Sequence, residues 1–482
     1  MQSIFKTFFN NIADDLNVKD KRFKALFLES LMIMIGLLVC AFIENFVYVV
    51  LAISILFVLI NFNNVKIIYF ALIFLPYTLY FKDLRNMRDL LQYIYLAICV
   101  CLVLSYIIDL VKKQKSINIG FTVSYFVLVI YVSQPWNFIC FIKNIELCLS
   151  LIILYFVLIN IHMFNVKEIL FIMLLSVLSS CFIGTFQPYS QHMDLLLARM
   201  LTEQGYMRFH GCGATNILGC ELAFLISLLI IFHYEEKLKV IQFLFLPVCI
   251  HILLQTYSKV AFITLIFVVL YVLIRGIKNK KIHNVIALLL ICLFVFLVDY
   301  QYVTQIFIRT GLVQTEISSI SVYPMFLLTS FTCVKLTFKE DMLNKFTTGR
   351  FIIWKTYIKD LLSSPKIFIF GHGVGLQNLQ VEGWGKTGIT PHNTYLYILN
   401  QYGFFIILPI IACLYFFFKE IKREKTNKEF IPLIVFMLLM ISEDFMVYEF
   451  IPFIIISVIF LFEFNKKEVK TYEKFEGFIK SL

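Results

Sequence analysis

The chain has 482 residues, of which 60% are hydrophobic and only 15% charged, with a formal net charge of +11. An ordinary soluble domain is about 45–50% apolar and about 25% charged. A mean hydropathy of +0.86 calls for a bilayer as solvent. It excludes a cytosolic enzyme, a secreted disulfide scaffold and a nucleic-acid binder with a soluble domain.

The apolar stretches are continuous over about 17–25 residues, the length of a spanning helix, and lack the alternation of a transmembrane β-barrel. Lys19, Lys21, Arg22 and Lys24 run directly into the first of them, so the start reads as a signal anchor rather than a cleavable signal peptide. In chain order the predicted spans are roughly 26–43, 46–61, 65–81, 90–110, 118–134, 145–161, 166–184, 216–233, 240–256, 258–275, 283–299, 394–418, 430–445 and 446–464. The first pair and the last pair each read equally as one long or broken helix, so the expected number is 12–14. The expected class is therefore an all-α polytopic membrane protein, with no internal repeat and no low-complexity linker.

Lys/Arg bias sets the orientation. With both termini cytoplasmic, the densest basic loops fall inside: Lys112 to Lys115, Arg275 to Lys281, Lys419 to Lys428 and the tail 465–482. Lys82, Arg85 and Arg88 are the exception and fall outside. The excess positive charge thus reads as membrane anchoring before any anionic partner is invoked. The 12 cysteines lie mostly in apolar runs, as small buried hydrophobes. Only Cys212 and Cys333 fall in predicted outer segments, and their spacing does not establish a disulfide.

The domain plan that follows has four parts: a bundle over 1–299, an outer loop over 300–393, C-terminal spans over 394–464 and the basic tail. A second outer loop covers 185–215. Loops of such length are functional or disordered, and 300–393 is too aromatic and apolar to be disordered. Within it, 349–362 has helical periodicity. Phe351, Trp354, Ile358, Leu361 and Leu362 share an apolar face, and Lys355 and Lys359 share another. That predicts an amphipathic helix at the membrane surface, stopped by Pro365. Pro391-His392-Asn393-Thr394 leads into the next span, with Asn393 or Thr394 as its N-cap.

This topology gathers polar groups at the outer face: Arg208 and His210 before the span at 216, Asn216 at its start, and Glu221 just inside it. Lys259 tops the span at 258, and Arg309, Arg350, His372 and His392 lie in the large loop. Glu443, Asp444 and Glu449 sit near the last outer turn. A lone cation at a headgroup layer is most often a snorkelling anchor, the reading for Arg309. Lys259 differs, because Tyr257-Ser258-Lys259-Val260 joins two apolar spans with almost no loop. A charge there costs a few kcal/mol on insertion scales and points to function. Arg208 and Arg350 offer guanidinium forks that match phosphate oxygens, and three cations on one face suit a pyrophosphate. His392 has the proton-accepting imidazole of a general base, although a lone His at a helix start is more often a cap or interface residue. Gly371-His372-Gly373-Val374-Gly375 lacks the endings of a nucleotide loop and reads as a flexible turn. No HExxH or DxD pattern indicates a metal site, and no cofactor is expected.

Gly349-Arg350-x-x-x-Trp354, then Phe370-Gly371-x-Gly373-x-Gly375, then Pro391-His392-Asn393-x-x-Leu396 and Gly403 form an ordered set. Together with Arg208-x-x-Gly211-x-x-x-x-Asn216 and Ser258-Lys259, this set resembles the superfamily of O-antigen ligases and Wzy-type polysaccharide polymerases, over roughly 205–405. The resemblance implies a GT-C-like helical bundle in the bacterial cytoplasmic membrane, with its site facing outside. It implies metal-independent, inverting glycosyl transfer from an undecaprenyl-diphosphate-linked glycan. Arg350 and Lys259 would bind the donor diphosphate, His392 would be the general base, and Arg208 would be a further phosphate or glycan contact. The family commonly carries Arg where this chain has Lys259, which gives up the bidentate fork. Implied partners are lipid-linked donor and acceptor, membrane lipids, a chain-length regulator and a flippase, with no nucleic acid. A repeat-unit polymerase is the leading expectation. The alternatives are a ligase using the same donor chemistry, with lipid A-core or another acceptor, and a lipid-linked oligosaccharide flippase, which would favour related halves that this chain lacks.

Overall fold

The computed structural model describes residues 119–159, 164, 166–186, 209, 215–234, 240–309, 349–374, 390–422 and 431–441, with scattered positions between 28 and 108. Of the described residues 87% are helical and none lies in a strand, so the class is all-α. The expected spans before 118 and after 445 lie mostly or wholly outside the described residues. So do Arg208, His210, Cys212, Cys333, Glu443, Asp444, Glu449 and the side chain of Arg309.

The described helices are α1 (Ile119–Ser133), α2 (Phe138–Lys143), α3 (Ile145–Ile159), α4 (Val166–Phe186), α5 (Thr215–Tyr234), α6 (Val240–Gln255), α7 (Lys259–Lys278) and α8 (Ile282–Val298). They continue with α9 (Tyr300–Arg309), α10 (Arg350–Leu361), α11 (Pro365–Phe370), α12 (Thr394–Tyr402), a 3-10 turn (Phe404–Ile406), α13 (Ile407–Lys422) and α14 (Ile431–Met440).

The core is organised around α5. Its sequence is apolar on every side, and such a helix must be surrounded by others. From Leu218 to Ile231 all its side chains are buried, and α4, α6, α7 and α14 pack around it. Helices α7 and α8 instead bury one stripe each. Ala261, Phe262, Leu265, Val268 and Val272 face inward on α7. On the outer side Ile274 is 68% exposed, and on α8 Phe294 is 64% exposed. Short turns at 256–258 and 279–281 place consecutive helices side by side.

By length and apolarity, α7 qualifies as a membrane-crossing helix among the described residues. A second qualifies if α12 and the segment from Phe404 to Phe416 count together, and seven further described helices are apolar but shorter.

The expected continuous span over 394–418 is corrected. The chain bends by 105° between Tyr402 and Phe404. The reason is steric. Gly403 has φ +70°, and a Cβ there would lie 2.2 Å from the Ile369 carbonyl oxygen. Gly371 has φ +70° too, and its Cβ would lie 2.5 Å from the Gln401 carbonyl. Two backbones therefore cross where neither can carry a side chain. Gly403→Ala meets both the cost of a positive-φ, extended-ψ conformation that is essentially reserved to glycine, about 1–3 kcal/mol, and an overpacking cost of about 1–3 kcal/mol. Its melting temperature in detergent should fall by several degrees, and an unchanged melt would contradict the crossing.

The amphipathic helix forms as expected, with a corrected face. The buried stripe is Ile353, Tyr357 and Leu361, while Ile358 and Leu362 are exposed beside Lys355 and Lys359. Of the expected face, Leu361 is buried, Phe351 and Trp354 are half-buried, and Ile358 and Leu362 are exposed, because packing on α12 and α11 brings Ile353 and Tyr357 inward instead. Pro365 does not merely end α10. It is the first residue of α11, behind the N-cap Ser364, whose hydroxyl accepts from the Ile367 amide at 3.2 Å.

Candidate functional site

Gly349, left-handed at φ +82°, starts α10, so Arg350 occupies its first position. One turn on, the Trp354 Nε1–H donates to the Pro391 carbonyl at 2.7 Å. This bond fastens the start of α10 to the turn before α12. Asn393 caps that helix, its Oδ1 accepting from the Leu396 amide at 3.0 Å, which settles the choice between Asn393 and Thr394. Between Pro391 and Asn393, His392 is held at φ +46° and is half-buried. A left-handed non-glycine residue costs about 1–3 kcal/mol and persists only where its surroundings enforce it, most often at functional sites. Arg350, Trp354, His392 and Asn393 thus form one connected unit.

Asn216, Glu221, Ser258 and Lys259 belong to the core side. Ser258 caps α7, its hydroxyl 3.5 Å from the Ala261 amide, and Lys259 is the first residue of the helix. Tyr257, at φ +51°, makes the sharp turn from α6. Gly219 allows α5 to press against this turn, since a Cβ there would lie 2.7 Å from the Ser258 Cβ. Asn216 is half-buried one turn earlier, and Glu221 is buried. The Phe209 amide donates to the Gln255 carbonyl at 3.0 Å. Phe209, between the candidate site residues Arg208 and His210, therefore lies beside the same turn.

Helix α14 bridges the two units. It packs on α5 and α7, and its Met437 carbonyl accepts from the Tyr395 hydroxyl at 3.1 Å, just inside α12. Both described candidate cations, Arg350 and Lys259, stand at the first residue of a helix, where the free N–H groups and the dipole add to the positive potential.

Three polar networks went unread in the sequence. In the first, Asp360 Oδ2 accepts from His372 Nε2 at 2.7 Å and from Asn400 Nδ2 at 3.0 Å. Of the expected flexible turn at 371–375, the described part, 371–374, is instead pinned. The His372 amide donates to the Asn400 carbonyl at 3.0 Å, Gly373 to Gln401 at 2.9 Å, and Val374 to Gln134 Oε1 at 3.3 Å. In the second, Tyr402 donates to Asn144 Oδ1 at 3.2 Å, and Asn144 Nδ2 donates to the Val132 carbonyl at 2.7 Å. In the third, His251 Nδ1 lies 2.7 Å from the buried Asp299 Oδ2, and Gln255 Nε2 donates to His251 Nε2 at 3.0 Å. A usable signal existed for the third, because a His and an Asp interrupt or end apolar runs there.

Among the described residues no group of three or more His, Cys, Asp or Glu is arranged to hold a metal ion. No family model, curated protein or solved structure matches this chain.

Proposed function

We propose that the protein is a polytopic membrane glycosyltransferase that polymerises lipid-linked polysaccharide repeat units on the outer face of the bacterial cytoplasmic membrane. The observation that carries this reading is the Trp354–Pro391 hydrogen bond, which joins the helix bearing Arg350 to the strained turn bearing His392. The membrane part of the reading is supported by α7 and by the large apolar side chains left exposed along α7 and α8, a surface that lipid solvates and water does not.

In this reading Arg350 and Lys259 hold the diphosphate of an undecaprenyl-diphosphate-linked glycan, each aided by its helix N-terminus. His392 accepts the proton of an acceptor sugar hydroxyl. The hydroxyl oxygen forms a bond to the donor anomeric carbon from the face opposite the diphosphate. The bond from that carbon to the diphosphate oxygen breaks, and undecaprenyl diphosphate leaves with the electron pair. The anomeric configuration inverts, and His392 later returns its proton to solvent. Fixed cations aimed at the developing negative charge stabilise the transition state by preorganisation.

Lys259 needs only a positive charge at that position for this role. Lys259→Arg should therefore keep activity within a few-fold, and Lys259→Ala should lose about 10²–10³ in rate. Initial rates of undecaprenyl diphosphate release measure both. Equal activity of Lys259→Ala and wild type would remove Lys259 from the site.

The reading is tested with purified protein in nanodiscs and undecaprenyl-diphosphate-linked repeat unit. A ladder of lengthening glycans without any other acceptor is the polymerase result. Transfer only after addition of lipid A-core or another acceptor makes the protein a ligase. Inertness to both moves the assignment to transport.

A further inference from the structure

We propose that Asp360, with His372 and Asn400, is a positioning residue: the far-end latch that sets the relative placement of Arg350 and His392. The inference rests on the functional reading above and deepens it.

Helices α10 and α12 pack against each other. They are joined near their starts by Trp354 and Pro391. At their other ends the Asp360 carboxylate, in the last turn of α10, takes a hydrogen bond from Asn400, in the last turn of α12. The same oxygen takes a second bond from His372. His372 and Gly373 in turn donate their amides to the Asn400 and Gln401 carbonyls. One carboxylate oxygen thus ties together α10, α12 and the turn after α11. The side chains of Asp360 and His372 are 16% and 24% exposed, so these bonds are largely shielded from water.

Asp360 lies ten residues from Arg350 on one helix, about 15 Å at 1.5 Å per residue, too far to touch the diphosphate held at Arg350. Its influence on chemistry runs through geometry. With the latch closed, α10 and α12 are fastened at both ends, and the two residues at their starts keep one spacing. Without Asp360 the far ends lose this tie, and α10 can shift about the Trp354 bond. A misplacement of about 1 Å of a catalytic group costs on the order of a hundredfold in rate.

The test compares Asp360→Ala and Asp360→Asn in nanodiscs. An asparagine carbonyl still accepts from both donors. Asp360→Ala should lower kcat about a hundredfold with KM for the lipid-linked repeat unit within about threefold of wild type. Asp360→Asn should restore kcat to within about threefold. Amide hydrogen exchange at Leu396 and Tyr397, in the first turn of α12, should rise about tenfold in Asp360→Ala only. If Asp360→Ala does not fold, His372→Ala removes one donor and should give the same kcat-only loss at about tenfold. A rise in KM at constant kcat overturns the inference, as does wild-type kcat with unchanged exchange. If wild-type protein transfers no sugar, the functional reading fails on its own. The exchange readout then decides the latch, and equal exchange in Asp360→Ala and wild type overturns it.

Discussion

Replacing His392 with alanine is expected to lower glycosyl transfer by about 10²–10⁴, the contribution of a positioned general base. In the proposed mechanism the loss falls on kcat, because the imidazole would meet the acceptor hydroxyl most strongly as its proton departs. Folding should survive. The N-cap of α12 is supplied by Asn393, and the tie to α10 uses the Pro391 carbonyl, so neither depends on the imidazole. The backbone at φ +46° would be strained with alanine. Asparagine tolerates the left-handed region better, so His392→Asn is the cleaner variant: same backbone, no base. Initial rates for both variants, at matched expression and melting temperature, measure the effect. Near-normal turnover in His392→Asn would remove the base from the account.

Arg350→Ala is expected to lower the rate by about 10²–10³, the usual loss for one fixed donor to a developing oxyanion. Its position explains the size. Arg350 opens α10 behind a left-handed glycine, so the guanidinium and the free N–H groups of the first turn add their positive potential at one place. Arg350→Lys should recover part of the loss, since it restores charge without the two-pronged geometry. If Arg350→Ala changes only KM, Arg350 binds the donor equally in the ground state and the transition state and does not speed the chemical step.

Helix positions were legible because an apolar run long enough to span is a strong signal. The expected 216–233 is Thr215–Tyr234, 240–256 is Val240–Gln255, and 283–299 is Ile282–Val298. Pro247 sits inside α6 without ending it, as neighbouring helices allow. The break at Gly403 was not legible, because its cause is the Ile369 carbonyl, brought against it only by the folded chain. The buried stripe of α10 was read correctly at Leu361 but missed at Ile353 and Tyr357 for a related reason. Both stripes are apolar, and only the packing of α12 distinguishes them. An ordered set of short motifs was the only sign that the helix opened by Arg350 and the turn holding His392 belong together, as the Trp354–Pro391 bond joins them. The hydrogen bond itself spans 37 positions and leaves no local mark. Asp360 was invisible for the opposite reason, since a carboxylate in the last turn of an exposed-looking helix reads as a solvated charge.

Sugar transfer by Arg350 and His392 without a metal is the central step of the proposed function. The most direct measurement is undecaprenyl diphosphate release from lipid-linked repeat unit in nanodiscs, in EDTA, by wild type, His392→Asn and Arg350→Ala side by side. Sustained release by wild type and a loss of at least about a hundredfold in each variant is the predicted result. Wild-type release that stops in EDTA, or that persists unchanged in both variants, would contradict it.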